Sequence, residues 1–171
     1  MTKTPLRRAL REDSLLVACI ADGLGAVKIA HRGYFDPTIR SAFADSLDLD
    51  EALSQGHEQE NRWDYLLGYA PTREVVAVEP HSAKQDEITT VINKRFHARE
   101  QLKDHLRAGA RITKWLWVAS GRVHFADTEK ARRRLDQHGI EFVGRRVELR
   151  HLPSAVASDS RALERRAKRK R

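Results

Sequence analysis

The chain contains a single cysteine, Cys19, so it can form no intrachain disulfide and no cysteine-rich zinc site. That scarcity fits a reducing, cytoplasmic setting. Long apolar runs are missing as well. The longest, residues 15–21, is too short to span a bilayer and stops at Asp22. Arg7, Arg8 and Arg11 precede it, but Glu12 and Asp13 stand where a secretory leader would turn apolar, which argues against secretion. There is no internal repeat and no glycine-, serine- or proline-rich linker. What remains is 171 residues, 40% hydrophobic and 33% charged, with a mean hydropathy of −0.62. This composition suits one globular domain over residues 1–153 followed by a short tail, 154–171.

Charge is plentiful but unevenly placed. The net charge is +8; residues 1–93 hold ten basic and fifteen acidic side chains, whereas residues 94–171 hold twenty-two and nine. The first part is therefore near −5 and the second near +13, which excludes a uniformly basic packaging protein and turns the second half toward a polyanion.

Local patterns give an order of elements. Asp36-Pro37 offers a helix cap with proline in the first turn, and Ile39, Phe43 and Leu47 recur at helical spacing, so a helix is expected over 36–53. Residues 63–69 read as a strand, 70–73 as a turn and 74–79 as a β-branched second strand, paired antiparallel to the first and ended or bent by Pro80. A helix follows from Ser82, with Ile88, Val91, Ile92, Phe96, Leu102 and Leu106 on its apolar face and Gly109 as its stop. Residues 115–119 form a short strand, Asp127 or Thr128 caps another helix through Gln137, and a last extended piece covers 140–143. Strand, crossover helix and strand give parallel pairing, so the expected class is α/β with a mixed central sheet flanked by helices.

A turn around 71–73 sets Asp64 and Glu79 nearly opposite each other at the open end of the hairpin. Two carboxylates that meet there repel unless a cation or proton lies between them. Hard oxygen ligands of this kind suit Mg²⁺ or Mn²⁺, which keep several waters and share a substrate's phosphate. That is the equipment phosphodiester hydrolysis requires. Plainer roles exist for each: Asp64 as a strand-edge cap, Glu79 as a solvated strand exit, and Glu58 and Glu60 as loop carboxylates. Trp115 and Trp117 point the same way from one strand, as core residues do. Cys19 has no signature around it and is expected to be buried and inert.

These residues in this order resemble the PD-(D/E)XK nuclease superfamily, over roughly residues 38–119. The match is Asp64, then Glu79-Pro80-His81 where the family carries Glu-x-Lys. The resemblance implies a nuclease-like core, Asp64 and Glu79 as metal ligands with the Pro80 carbonyl beside them, and His81 in the lysine's place. His81 there serves as general base, metal ligand or structural residue, and Lys84 in the next helical turn could supply the missing ammonium. Asp64, Glu79, His81 and Lys84 are the expected catalytic set, and a homodimer or a partner protein is the expected context.

Arg132, Arg133 and Arg134 cannot all point inward, and Arg145, Arg146 and Arg150 add to the same half. The tail carries Arg161, Arg165, Arg166, Lys168, Arg169, Lys170 and Arg171, a cluster that binds phosphate without reading sequence and weakens with salt. DNA or RNA is the expected partner and a membrane is not. Two functions fit: a metal-dependent nuclease, or a catalytically silent nucleic-acid-binding or assembly subunit with the same fold.

Overall fold

A computed structural model describes residues 2–56, 58, 60–123 and 129–154. The sheet grows outward from one hairpin. Strand β3 (Tyr65–Tyr69) pairs antiparallel with β4 (Glu74–Ala83), from Tyr69 opposite Glu74 to Tyr65 opposite Val78. Arg73, at φ +58°, takes the left-handed conformation that closes the turn, and its N–H donates to the Ala70 carbonyl at 3.3 Å.

Pro80 does not end β4, as the sequence had suggested; the strand runs on to Ala83. Beyond Val78 it has no partner in β3 and continues only against β5 (Ile112–Val123), where Pro80 stands opposite Val118. A proline is tolerated where one side of the ladder is already open.

The expected helix over 36–53 is also corrected. A 3₁₀ turn occupies Pro37–Ala42, strand β2 follows at Phe43–Asp48, and a single helical turn, α2, spans Leu49–Ala52. Strand β2 pairs antiparallel with β3 and is buried on both faces, so no polar alternation announces it. Asp45 is fully buried, with its carboxylate accepting the N–H groups of Leu6 at 3.1 Å and Arg7 at 3.4 Å. It thereby caps α1 (Pro5–Ala9), whose own Thr4 makes no side-chain cap. Gly68 makes this possible, since a Cβ there would lie 1.8 Å from Asp45 Oδ1.

Helix α3 (Glu87–Leu102) crosses from β4 to β5, and α4 (Glu129–Gln137) crosses from β5 to β6 (Ile140–Phe142); both crossovers join parallel strands. With β1 (Ala21–Asp22) beside β2, the described residues form a sheet of six strands in the order β1-β2-β3-β4-β5-β6. Phe96, expected on the buried face of α3, is 59% exposed, and Leu106 lies past the helix in a bridge to Leu10.

The core is two-sided. Leu47, Leu66, Ala77, Trp115 and Trp117 face α1 and α3, while Tyr65, Leu67, Val76, Val78 and Leu116 face Val27, Phe35, Ile39 and Leu152. Both tryptophans are core residues, and Trp63 packs edge-on against Trp115 at 5.1 Å. Cys19 is exposed rather than buried, because its 3₁₀ turn, Leu15–Cys19, tucks in only Leu16. Residues 127 and 128 and the tail cations 161–171 lie outside the described residues.

Candidate active site

Tyr65 opposite Val78 is the last rung of the β3–β4 ladder, so Asp64 and Glu79 meet just beyond it. The backbone N–H of Asp64 donates to Glu79 Oε2 at 2.8 Å. Side chains alternate along a strand, so Asp64 shares the face of Leu66 and Glu79 that of Ala77, the face that α3 covers. Glu79 is fully buried there. Its Oε1 accepts a hydrogen bond from the ammonium of Lys94, on α3, and lies 3.5 Å from His81 Nδ1.

Because β4 continues through Pro80, His81 falls on the same face as Glu79. Its other nitrogen, Nε2, is 2.8 Å from Glu87 Oε2, in the first turn of α3. The indole N–H of Trp117 donates to the His81 carbonyl at 3.1 Å and fixes the backbone. Glu79, His81, Lys94 and Glu87 thus form one chain of alternating charge between sheet and helix.

Charges in this cluster are displaced from their ordinary behaviour. Burial, then the neighbouring charge of Glu79, raises the Asp64 carboxyl to about 7, against the pull of Lys94. The side chain of Asp64 has no hydrogen bond or ion pair among the described residues. His81 is raised by its contact with Glu79 against burial, with Glu87 acting in the same direction. Glu87 is lowered by its hydrogen bond with His81.

Lys84 is exposed and has no ion pair among the described residues. The ammonium that reaches the carboxylates belongs to Lys94 instead, which sequence reading missed. A signal existed: Lys94 lies between the buried Val91 and Ala98 at spacings of three and four, so a charge sits on the apolar stripe. On the opposite face of β3, His31 Nδ1 and the Tyr65 hydroxyl are 2.6 Å apart, and the Lys28 N–H donates to the same hydroxyl at 3.3 Å. Burial lowers His31 and raises Asp48, the last residue of β2. No local pattern links His31 to a strand thirty-four residues away.

Glu60 accepts from Gln101 on α3 at 2.7 Å, and Glu58 accepts the Gly56 N–H at 3.0 Å. Arg132, Arg133 and Arg134 are exposed on α4, as expected, with Arg133 paired to Glu129 and Arg134 reaching Thr89.

Among the described residues no group of three or more His, Cys, Asp or Glu side chains could hold a metal ion. The oxygen groups that meet here are the Asp64 and Glu79 carboxylates, with the Pro80 carbonyl next in the chain, and both Glu79 oxygens already accept hydrogen bonds, from Lys94 and from the Asp64 N–H. Two hard oxygen donors suit Mg²⁺ or Mn²⁺, which leave their other positions to water and phosphate. The unpartnered Asp64 carboxyl is the group such a cation would satisfy. No helix among the described residues is long and apolar enough to cross a membrane. No protein-family model matches the chain, and neither a curated protein nor a solved structure matches it.

Proposed function

We propose that this protein is a metal-dependent phosphodiester hydrolase acting on nucleic acid, centred on Asp64 and Glu79. The observation that carries the reading is the meeting of two shielded carboxylates, Asp64 unpartnered and Glu79 held by Lys94, at the end of a hairpin. The order of elements supports it: α1, three antiparallel strands with Asp64 at the second and Glu79 on the third, then a helix and a parallel strand. The hairpin, long helix and parallel strand follow the order that the PD-(D/E)XK resemblance calls for, whereas the helix expected ahead of them at 36–53 is replaced by β2.

Asp64 and Glu79 would hold Mg²⁺ or Mn²⁺, which when bound lowers the pKa of a water and neutralises charge on the phosphate. Lys94 takes the role that the resemblance gives to the motif lysine, placing an ammonium beside the reacting phosphate's carboxylate anchor. His81 faces a carboxylate from each ring nitrogen, so its protonated form is favoured. It therefore acts as a second fixed cation that orients Glu79, and not as a base.

A silent binding subunit is the second reading, and Lys94 favours it, since its ammonium already neutralises the buried Glu79. Incubation of the full chain with single- and double-stranded DNA and RNA, in Mg²⁺ or Mn²⁺, separates the two. Cleavage that falls by roughly 100-fold or more in Asp64→Asn supports the hydrolase. Intact substrates in both metals, with salt-sensitive binding retained, support the silent subunit.

A further inference from the structure

A second concave feature lies away from the carboxylates. Between the C-terminal half of α3, the start of β5 and the end of α4 runs a groove of about 590 Å³. Arg95, Arg99 and Arg111 line it, and none of them has a carboxylate partner among the described residues. The acidic residue in the lining, Glu100, is already paired with Lys103 at 2.7 Å. The groove thus gathers guanidinium groups that no carboxylate among the described residues pairs with.

Arg95 is held in place rather than left to wander. Its guanidinium lies over the Trp115 ring, 5.2 Å from the centroid. Gly139 leaves room for it: at φ +69°, a Cβ on that residue would stand 2.8 Å from Arg95 Nη2. The Arg95 Nε is buried with no hydrogen-bond partner, an arrangement that costs free energy. Burial and the nearby charge of Arg99 both work against protonation of Arg95. A bound anion would offset the repulsion between Arg95 and Arg99. Phe96, one residue along α3, also lines the groove and presents 59% of its surface to solvent.

A point anion would use the arginines and leave Phe96 idle. A phosphodiester chain with unpaired bases uses both, since every base has a face that stacks on an aromatic ring. A duplex hides those faces. We infer that this groove binds single-stranded nucleic acid, with Arg95, Arg99 and Arg111 on the phosphates and Phe96 under a base. The inference rests on the hydrolase reading only for the class of substrate. Lys94 and Arg95 are adjacent on α3, so one helix carries a cation to the carboxylates and a cation to the groove.

The test is fluorescence anisotropy of the full chain with labelled oligothymidylate in EDTA, over a range of salt. Arg99 and Arg111 are exposed, so Arg99→Ala/Arg111→Ala is expected to keep the native circular dichroism spectrum. Its affinity should fall at least tenfold, and its salt slope by about 1.4, at about 0.7 for each single-strand phosphate contact. Phe96→Ala should lose about tenfold on oligothymidylate and nothing on a polyglutamate peptide. Wild-type affinity in the double variant would overturn the inference. Polyglutamate binding as tight as oligothymidylate would overturn it in favour of an acidic protein partner. Because the assay reads binding without metal, its failure leaves the hydrolase untouched, and a failure to cleave leaves the groove standing.

Discussion

The amide of Asp64 donates to Oε2 of Glu79 at 2.8 Å, so the backbone of one acidic residue anchors the side chain of the other. Glu79 cannot turn to solvent without giving up that bond, and its second oxygen is held by Lys94. The pair is fixed by the hairpin register and by the docking of α3, two features that do not depend on any ligand.

Lys94 should therefore be structural as well as functional. Lys94→Ala strands a fully buried carboxylate and should cost about 3 kcal/mol in urea unfolding. Lys94→Met combined with Glu79→Gln removes both charges and should recover most of that loss. A cost below about 0.5 kcal/mol for the single change would mean that the pair is solvated and weak.

Asp64 makes stability depend on pH in an uncommon direction. Its carboxyl titrates near 7 when folded, against an ordinary value of 3.8. Between these values the folded state holds more protons than the unfolded state, so stability falls as pH rises from about 4 to 7 and then levels off. Asp64→Asn should be more stable than wild type at pH 8 by on the order of 2–4 kcal/mol, with the gap closing at pH 4. Denaturant curves at the two pH values check this, and an equal gap at both would contradict it.

His151 should act with the opposite sign. It is buried, burial lowers its pKa, and its Nδ1 accepts the Glu148 N–H at 2.9 Å, which requires an unprotonated nitrogen. The unfolded state then binds the proton more readily. Stability is present above the ordinary value of 6.5 and is lost as pH falls through the lowered folded value. Asp64 works the other way over the same range, so the His151 contribution is read as the stability difference between wild type and His151→Ala, which should shrink as pH falls from 7. At neutral pH the lost cap should cost about 1 kcal/mol.

Gly68→Ala tests the anchor of α1. The added Cβ would strike the Asp45 carboxylate and crowd the Pro5 ring, and Asp45 is held in place by the N–H groups of Leu6 and Arg7. A loss of about 3 kcal/mol is expected, as for overpacking a buried site. Gly33→Ala, where the new atom meets nothing, should change stability by less than about 0.5 kcal/mol.

The hairpin was legible because its β-branched run, its Pro-Thr turn and its register are all local: the pairs Tyr69–Glu74 and Tyr65–Val78 put Asp64 opposite Glu79, as the turn around 71–73 implied. Strand β2 was not legible. Ile39, Phe43 and Leu47 satisfy a helical spacing, and the residues that would betray a strand, Asp45 and Ser46, are buried polar groups with remote partners in α1 and at Ala26. The carboxylate pair could be read from turn geometry. The apolar stripe places Lys94 on the inner face of α3, but its contact with Glu79 could not be read, because it depends on how α3 is phased against β4.

The most direct test is a calorimetric titration of Mn²⁺ into wild type and into Asp64→Asn, which keeps the buried shape and removes one ligand charge. Saturable binding in wild type that weakens at least tenfold in the variant is the predicted result. Equal heats in the two proteins, or no heat in wild type, would contradict a cation site at Asp64 and Glu79.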